Sequence, residues 1–332
     1  MRRPQPRYHC WIMTADCSRL IAIVGPTAVG KSDLALRLAQ LIPAEIISAD
    51  SRQVYRYMDI GTSKPTIGER KAVPHHILDV VDPDQDFSLA MYHELALTAI
   101  PDVWRRGDLP LLVGGSGLYV WSLIEGWQIP QVTPDREQRR TLEARAELEG
   151  SHSLYQELQS IDPVAAEKIG PQNARRIIRA LEIYRATGQP PSQQRQKRGP
   201  GRPTLIIGLT RERQDLYRTI DCRVDRMIAA GLVDEVEDLL NRGYSSSLPS
   251  MSGIGYRQII RFLQGEMTLS EATDKMKVET HRLARRQYAW FRLADERIRW
   301  LHAGDGGDEA EAPNLNTAKD MIEGFLAESS PG

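Results

Sequence analysis

The stretch GPTAVGKS, positions 25 to 32, lies directly after the apolar run LIAIV and directly before SDLALRLAQLI, whose apolar residues recur at helical spacing. Gly25, Gly30, Lys31 and Ser32 complete the pattern GxxxxGK[ST], and a strand before the loop with a helix behind it is the context that gives the pattern meaning. Glycines let the backbone turn so that successive amide N–H groups point inward. The helix start adds partial positive charge and Lys31 a full one, and the Ser32 hydroxyl is a ligand type for Mg²⁺. Pro26, Thr27, Ala28 and Val29 complete the loop. Such a cradle specifies a diphosphate or a longer chain of phosphates. It does not specify a nucleotide.

Fold class follows from what comes next. AEIIS reads as a second buried strand delivering Asp50, HHILDV as a third, and LPLLVGG as a fourth, with an amphipathic helix over SLAMYHELALTAIPDVWRRG between the last two. Strands that alternate with helices predict a parallel sheet whose ligands sit beyond the carboxyl ends of the strands. After Trp127 the strand periodicity stops. TPDREQRRTLEARAELEG, SLYQELQS, DPVAAEKI and NARRIIRALEIYRATG all read as helices, followed by the polar connector QPPSQQRQKRGPGRP. TLIIGLT restores strand character, and helices are expected over 215–242, 255–264 and 270–294, with RIRWL as a last strand. The expected organisation is therefore a disordered basic arm over 1–18 and an α/β core in two parts, 19–128 and 201–302. A helical insertion with its connector occupies 129–200, and an acidic tail 303–332.

A chain of 332 residues exceeds what one core usually organises, which agrees with a core plus an insertion. No apolar run approaches the ~20 residues needed to cross a bilayer. Three cysteines without a CxxC fit a reducing compartment, the cytoplasm, and a monomer is the default state. The net charge of −1 conceals a segregation: residues 170–213 hold ten Lys and Arg against two acids, whereas 303–332 hold seven acids and one lysine. One face of a nearly neutral protein is thus suited to a polyanion, and DGGDEAEAPNLN reads as a solvated linker before a short helix.

A kinase or NTPase also requires a Walker-B carboxylate at the end of another apolar strand. LPLLVGGSGLY ends instead in Gly114, Gly115 and Ser116. Asp50 is the one acid at a strand end; it could serve as that carboxylate or hold metal or substrate, and spacing alone leaves its role open. His75 and His76 have no third ligand at usable spacing, so structural roles are expected of them.

Taken in order, GPTAVGKS, ISADSRQVYRYMDIGTSKP, VPHHILD, LLVGGSGLY, RALEIYRATG, LPSMSGIGYRQI and RRQYAWFR resemble the signature of the tRNA dimethylallyltransferases over roughly residues 20–301. The resemblance implies a P-loop NTPase-like α/β core and transfer of a dimethylallyl group from dimethylallyl diphosphate to the exocyclic amino group of the adenosine on the 3′ side of the anticodon. The loop would then hold a prenyl diphosphate, with Mg²⁺ on Ser32, and the partner would be the anticodon stem-loop of tRNA. Asp50 matches the family's catalytic aspartate. Thr27 and Ser116 match residues lining the reaction site, the second usually a threonine, and Arg223 matches an arginine on the diphosphate. For tRNA the matching positions are Asp50, Ser51, Arg52 and Gln53, then Arg175, Arg176 and Arg179. Ser252, Gly255, Tyr256 and Arg257 follow, and lastly Arg285, Arg286, Gln287, Tyr288, Trp290 and Arg292. Ser252 departs from a commoner charged residue. Rival readings are an adenylate isopentenyltransferase, a P-loop kinase or NTPase using ATP, and an RNA-binding protein without catalysis.

Overall fold

A computed structural model describes residues 19–129, 135–194, 202–304 and 307–328. The expected basic arm 1–18, with Cys10 and Cys17, and residues 195–201 of the connector lie outside the described residues. The chain divides into two compact units, one made of Met1–Ile124 with Arg202–Gly332 and the other of Glu125–Gly201.

In the first unit six parallel strands form one sheet: β1 (Leu20–Val24), β2 (Ala44–Ser48), β3 (His75–His76), β4 (Leu109–Gly114), β5 (Thr204–Thr210) and β6 (Ile298–His302), in the spatial order β3-β2-β4-β1-β5-β6. All five residues of LIAIV are fully buried, as the unbroken apolar run requires of a strand covered on both faces. Each such aliphatic side chain contributes roughly 1.5–3 kcal/mol relative to exposure. Val24 is in register with Gly114 of β4 and Gly208 of β5, and Ser48 with Val113. The loops after β1, β2 and β4 therefore emerge side by side at one edge, where the strand order reverses.

Helices α1 (Lys31–Leu41), α2 (Ile67–Ala72), α3 (Leu89–Arg105) and α4 (Gly117–Ile124) belong to the first half of this unit. Thr66 and Ser88 cap α2 and α3 with their side chains. The third strand is shorter than HHILDV suggests. It ends at His76 because Ile77 (φ 62°) and Asp79 (φ 54°) turn into the left-handed region, and the Asp79 carboxylate is drawn to Lys64 at 2.7 Å and Arg70 at 2.6 Å.

The second unit contains α5 (Arg136–Glu149), α6 (Ser151–Ile161), α7 (Pro163–Ile169), α8 (Ala174–Thr187) and α9 (Pro191–Gln194). Its own core joins Leu142, Leu154, Leu158, Ala166, Ile177 and Leu181. Glu182, 2% exposed, is held by Arg139 at 2.7 Å and Arg179 at 3.1 Å, which depress its pKa against the cost of burial.

Back in the first unit, the helical stretch expected over 215–242 is broken by Gly231 (φ 97°) into α10 (Arg213–Ala229) and α11 (Leu232–Asn241). α12 (Tyr256–Leu263) and α13 (Leu269–Trp290) follow, the latter opened by a reciprocal Thr268–Glu271 capping box. The acidic tail departs from the expectation of a solvated linker: α14 runs from Gly307 to Ala327. Ala318 and Ile322, four residues apart, are fully buried, Asn314 bonds the carbonyl of His302 at 2.7 Å, and Arg19 donates to the carbonyls of Phe325 and Glu328. The apolar stripe lies in the segment expected as a short helix, and the helix extends back through the segment expected as linker.

Candidate active site

The phosphate loop is built by close approach. Gly25 has φ 143°, and a Cβ there would lie 2.4 Å from the carbonyl oxygen of Leu209 on β5, so no side chain fits. Ala28 (φ 63°) and Gly30 (φ 101°) take left-handed conformations that curl the backbone. Gly30 precedes α1 without supplying a side-chain cap, unlike Thr66, Ser88 or Thr268 at other helix starts. The amides at the start of α1 therefore keep no cap of the chain's own, which is the arrangement that receives an anion. Lys31 folds back over the loop, its Nζ donating to the carbonyl of Pro26 at 2.6 Å.

Asp50 stands just past the end of β2, and its Oδ1 accepts the backbone N–H of Arg52 at 2.8 Å. From the end of β4, the Ser116 hydroxyl accepts the amide of Ser51 at 3.1 Å, which ties the two loops together. Behind them Tyr92 and Tyr119 stack at 3.9 Å between ring centroids. Burial first, and then the charge of Asp50 among other groups, raises the pKa of both phenols, so that an aromatic wall lies within the field of this carboxylate.

Arg223 reaches the same place from α10. Its Nε donates to Ser63 Oγ at 2.7 Å and its Nη1 to Thr27 Oγ1 at 3.3 Å. Burial lowers its pKa, with Asp50 acting in the opposite direction. Lys31 is lowered to about 7, by burial first and by Arg223 second, partly offset by Asp50. Two cations and one carboxylate share a water-poor corner, a charge excess that calls for an anion.

Several residues matched to tRNA contact have other partners here. Gln287 bridges two loops: its Oε1 accepts the Thr27 amide at 2.7 Å and its Nε2 donates to Gly115 O at 3.0 Å. Gln53 spends its amide on Ser48, Thr62 and Ser63. Tyr256, 1% exposed, is part of the core, so its side chain is not a surface for RNA. Its phenol donates to Glu235 at 2.6 Å, and its ring occupies the space a Cβ on Gly61 would fill. Gly255 is buried beside it and donates its amide to Gln258. Arg52 donates to the carbonyls of Pro249 and Ser250, Arg257 pairs with Glu279, and the Tyr288 hydroxyl meets Thr210 at 2.9 Å. Ser51, Ser252, Arg285, Arg286, Trp290 and Arg292 are exposed, while Phe291 is fully buried. Arg175 and Arg176 are exposed on α8 of the second unit, where Arg179 is committed to Glu182.

Sequence reasoning passed over Ser63 and Glu235. Glu235 accepts the amides of Asp59, Ile60 and Gly61 at 2.9, 2.6 and 3.1 Å, pinning the loop that carries Ser63. The signal was present in DIGTS, a hydroxyl-rich turn punctuated by glycine, but not the helix that would grip it.

The two histidines are structural. His76 Nε2 meets Glu45 at 2.6 Å and His75 Nδ1 meets Val73 O at 2.7 Å. Among the described residues no group of three or more His, Cys, Asp or Glu could hold a metal. The donor set near the loop is instead an exposed serine hydroxyl, Ser32, and the Asp50 carboxylate. Such a set fits Mg²⁺, which keeps most of its coordination shell as water and substrate phosphate oxygens, and fits no dedicated protein cage.

The sequence profile described as IPP transferase matches residues 53–294, and that described as isopentenyl transferase matches 18–79. The tRNA dimethylallyltransferase of Roseiflexus castenholzii is 56% identical over 82% of this chain and 89% of its own, and that of Thermomicrobium roseum 48% identical over 87% of each. The crystal structure of a full-length tRNA isopentenylpyrophosphate transferase from Bacillus halodurans superposes with a TM-score of 0.69 at 41% identity, covering 94% of this chain and 98% of that one. A eukaryotic dimethylallyltransferase captured acting on tRNA gives 0.79 at 29% identity, over 92% and 80%. The six-stranded parallel sheet with its loop at the switch point is the P-loop NTPase-like fold these proteins share. On the match over residues 53–294 and on these relatives, the chain belongs to the IPP transferase family, that of the tRNA dimethylallyltransferases.

Proposed function

We propose that the protein is a tRNA dimethylallyltransferase: it transfers the dimethylallyl group of dimethylallyl diphosphate to the exocyclic amino group of the adenosine 3′-adjacent to the anticodon and releases diphosphate. The observation that carries this reading is the corner in which Lys31, Arg223 and the uncapped start of α1 face a single carboxylate, Asp50. Among the described residues Asp50 is the acid at the strand ends around this cradle, and Asp33 in the first turn of α1 pairs with Arg37 at 2.9 Å; such a site suits departure of diphosphate better than attack of water on a phosphorus atom.

The chemistry divides between the two sides of the corner. On one side the allylic C–O bond breaks and its electron pair leaves with the diphosphate. Lys31, Arg223, the loop amides and the hydroxyls of Thr27 and Ser32 hold that growing charge. Mg²⁺, held by Ser32 and substrate oxygens, would supply further charge neutralisation on the leaving group. On the other side the adenine nitrogen forms the new C–N bond and loses a proton, which Asp50 accepts. Delocalisation into the ring makes that nitrogen a weak nucleophile, so removal of the proton as the bond forms lowers the barrier. A base that reaches a half-buried carboxylate has left its stack, which couples recognition to catalysis.

Exposed Arg175 and Arg176, together with Arg285, Arg286 and Arg292, are assigned to tRNA phosphates, and exposed Trp290 to base stacking. Among the described residues no helix is long and apolar enough to cross a membrane. A monomer acting on cytoplasmic tRNA is the accompanying assignment. The test is to incubate purified protein with dimethylallyl diphosphate, Mg²⁺ and unmodified tRNA and to weigh the digested nucleosides. Prenylated adenosine is the expected product. Prenylation of free AMP but not of tRNA would replace this reading with an adenylate transferase, and phosphate release from ATP alone would replace it with an NTPase.

A further inference from the structure

We propose that Ser63 is a binding residue for the diphosphate, one that aims Arg223 and donates its own hydroxyl proton to the same anion. The inference deepens the proposed function and rests on it for the identity of the anion.

A guanidinium N–H only donates, so in its contacts with Arg223 each hydroxyl, Ser63 Oγ at 2.7 Å and Thr27 Oγ1 at 3.3 Å, is the acceptor. Each hydroxyl therefore retains its own proton for a second acceptor. Neither of these partners carries a charge, while Asp50 acts on Arg223 only through space. Lys31, the other cation of the corner, likewise bonds a neutral carbonyl. Enclosed cations satisfied only by neutral oxygens are costly unless an anion joins them. Beside Lys31 and the loop amides, the donors that remain to meet it are the other N–H groups of Arg223 and the two hydroxyl protons.

Backbone geometry makes the same point independently. Ser63 has φ 48°, a left-handed conformation in which glycine or asparagine is the unstrained choice. The conformation is imposed from several directions. The Ser63 amide donates to Ile60 O at 3.0 Å, its carbonyl accepts Gln53 Nε2 at 3.1 Å, and the following Lys64 is fully buried against Asp59 and Asp79. A serine held where glycine is easier indicates that its hydroxyl serves a purpose.

The experiment titrates inorganic pyrophosphate into wild-type protein, Ser63→Gly and Ser63→Ala, with melting temperatures measured in parallel. Ser63→Gly suits the positive φ but withdraws the acceptor of the Arg223 Nε–H, two opposing effects that leave its melting temperature near that of wild type. Its affinity for pyrophosphate should nevertheless fall about tenfold or more, the scale of one hydrogen bond to a charged group. The KM for dimethylallyl diphosphate should rise in step while the KM for tRNA stays put. A Ser63→Gly protein that binds pyrophosphate as wild type does overturns the inference and leaves the transferase reading intact. Wild-type protein that binds pyrophosphate in a Ser63-dependent way but prenylates nothing supports the contact and removes the transferase reading.

Discussion

Tyr256 donates its phenolic proton to Glu235 at 2.6 Å, and the same carboxylate accepts three consecutive backbone amides, those of Asp59, Ile60 and Gly61. One acid from α11 thus fixes the turn that presents Ser63 to Arg223. Burial and the adjacent Glu235 raise the Tyr256 pKa well above its ordinary value, so the phenol stays a donor across the working pH range. Tyr256→Phe should cost about 1–2 kcal/mol in urea unfolding by removing one charge-assisted bond. Glu235→Ala, which leaves four donors without their acceptor, should cost more than Tyr256→Phe and also weaken pyrophosphate binding. Equal binding by Glu235→Ala and wild type would show that the turn holds its shape without this anchor.

Lys31 makes anion binding pH-dependent. In the free protein burial and Arg223 hold it at about 7 against an ordinary 10.5, so folding disfavours its charge. Between those values the unfolded chain carries the extra proton, and this group's contribution to stability rises with pH across the window. A bound diphosphate restores the charge. Binding above pH 7 therefore takes up a proton and weakens as pH rises, by at most tenfold per unit. Calorimetry at pH 8 in buffers of different ionisation enthalpy, with an unreactive alkyl diphosphate, should record uptake close to one proton. Lys31→Arg, charged throughout, should take up none. The same uptake by both proteins would assign the proton to another group.

Local patterns carried the elements that local physics decides. LIAIV, the glycine loop, α1 and the edge bearing Asp50 follow from runs of a few residues, and the structure places them where the pattern put them. The partners of Arg223, Glu235 and Gln287 did not follow, because each pairs with a residue 160 or more positions away, beyond the reach of any periodicity. Matching motifs also cannot tell a residue that faces substrate from one that holds the frame. Tyr256 and Gln287 lie in matched blocks, and the fold turns both inward. In the tail the short helix expected after the acidic stretch is present, with Ala318 and Ile322 buried, but it begins earlier than the charge run suggested, at Gly307.

Asp50→Asn separates proton transfer from binding. The asparagine side-chain oxygen still accepts the Arg52 amide that Asp50 accepts at 2.8 Å, so the local loop is kept. It has no basic oxygen for the amine proton. Single-turnover transfer should slow by about a hundredfold or more while tRNA affinity is retained. An unchanged rate would take the proton-accepting role from Asp50.

Gln287 distinguishes a frame from an RNA contact. With both ends of its amide bridging Thr27 and Gly115, Gln287→Ala should loosen the phosphate loop. Its kcat/KM for dimethylallyl diphosphate should fall about tenfold, the cost of one or two lost hydrogen bonds, with tRNA affinity within twofold of wild type. Weakened tRNA affinity with unaltered donor kinetics would instead return the residue to the RNA surface.

The three arginines of α8 should not behave alike, although the sequence groups them. Arg175 and Arg176 are exposed, whereas Arg179 bonds Glu182, an acid only 2% exposed and otherwise held by Arg139. If the exposed pair neutralises phosphates, Arg175→Glu and Arg176→Glu should each flatten the dependence of log tRNA affinity on log salt by up to ~0.9. Arg179→Ala should leave that slope nearly unchanged and act on folding, destabilising the helical unit by about 1–2 kcal/mol because a buried carboxylate loses one of its two cations. Glu182 has a depressed pKa in the folded protein, so its contribution to stability is present above the ordinary glutamate value and is lost as pH falls through the folded one. Arg179→Ala should therefore reduce the acid sensitivity of unfolding, while the exposed pair leaves it alone. A salt slope that responds to Arg179 as it does to Arg175 would mean that tRNA binding draws this arginine off its carboxylate.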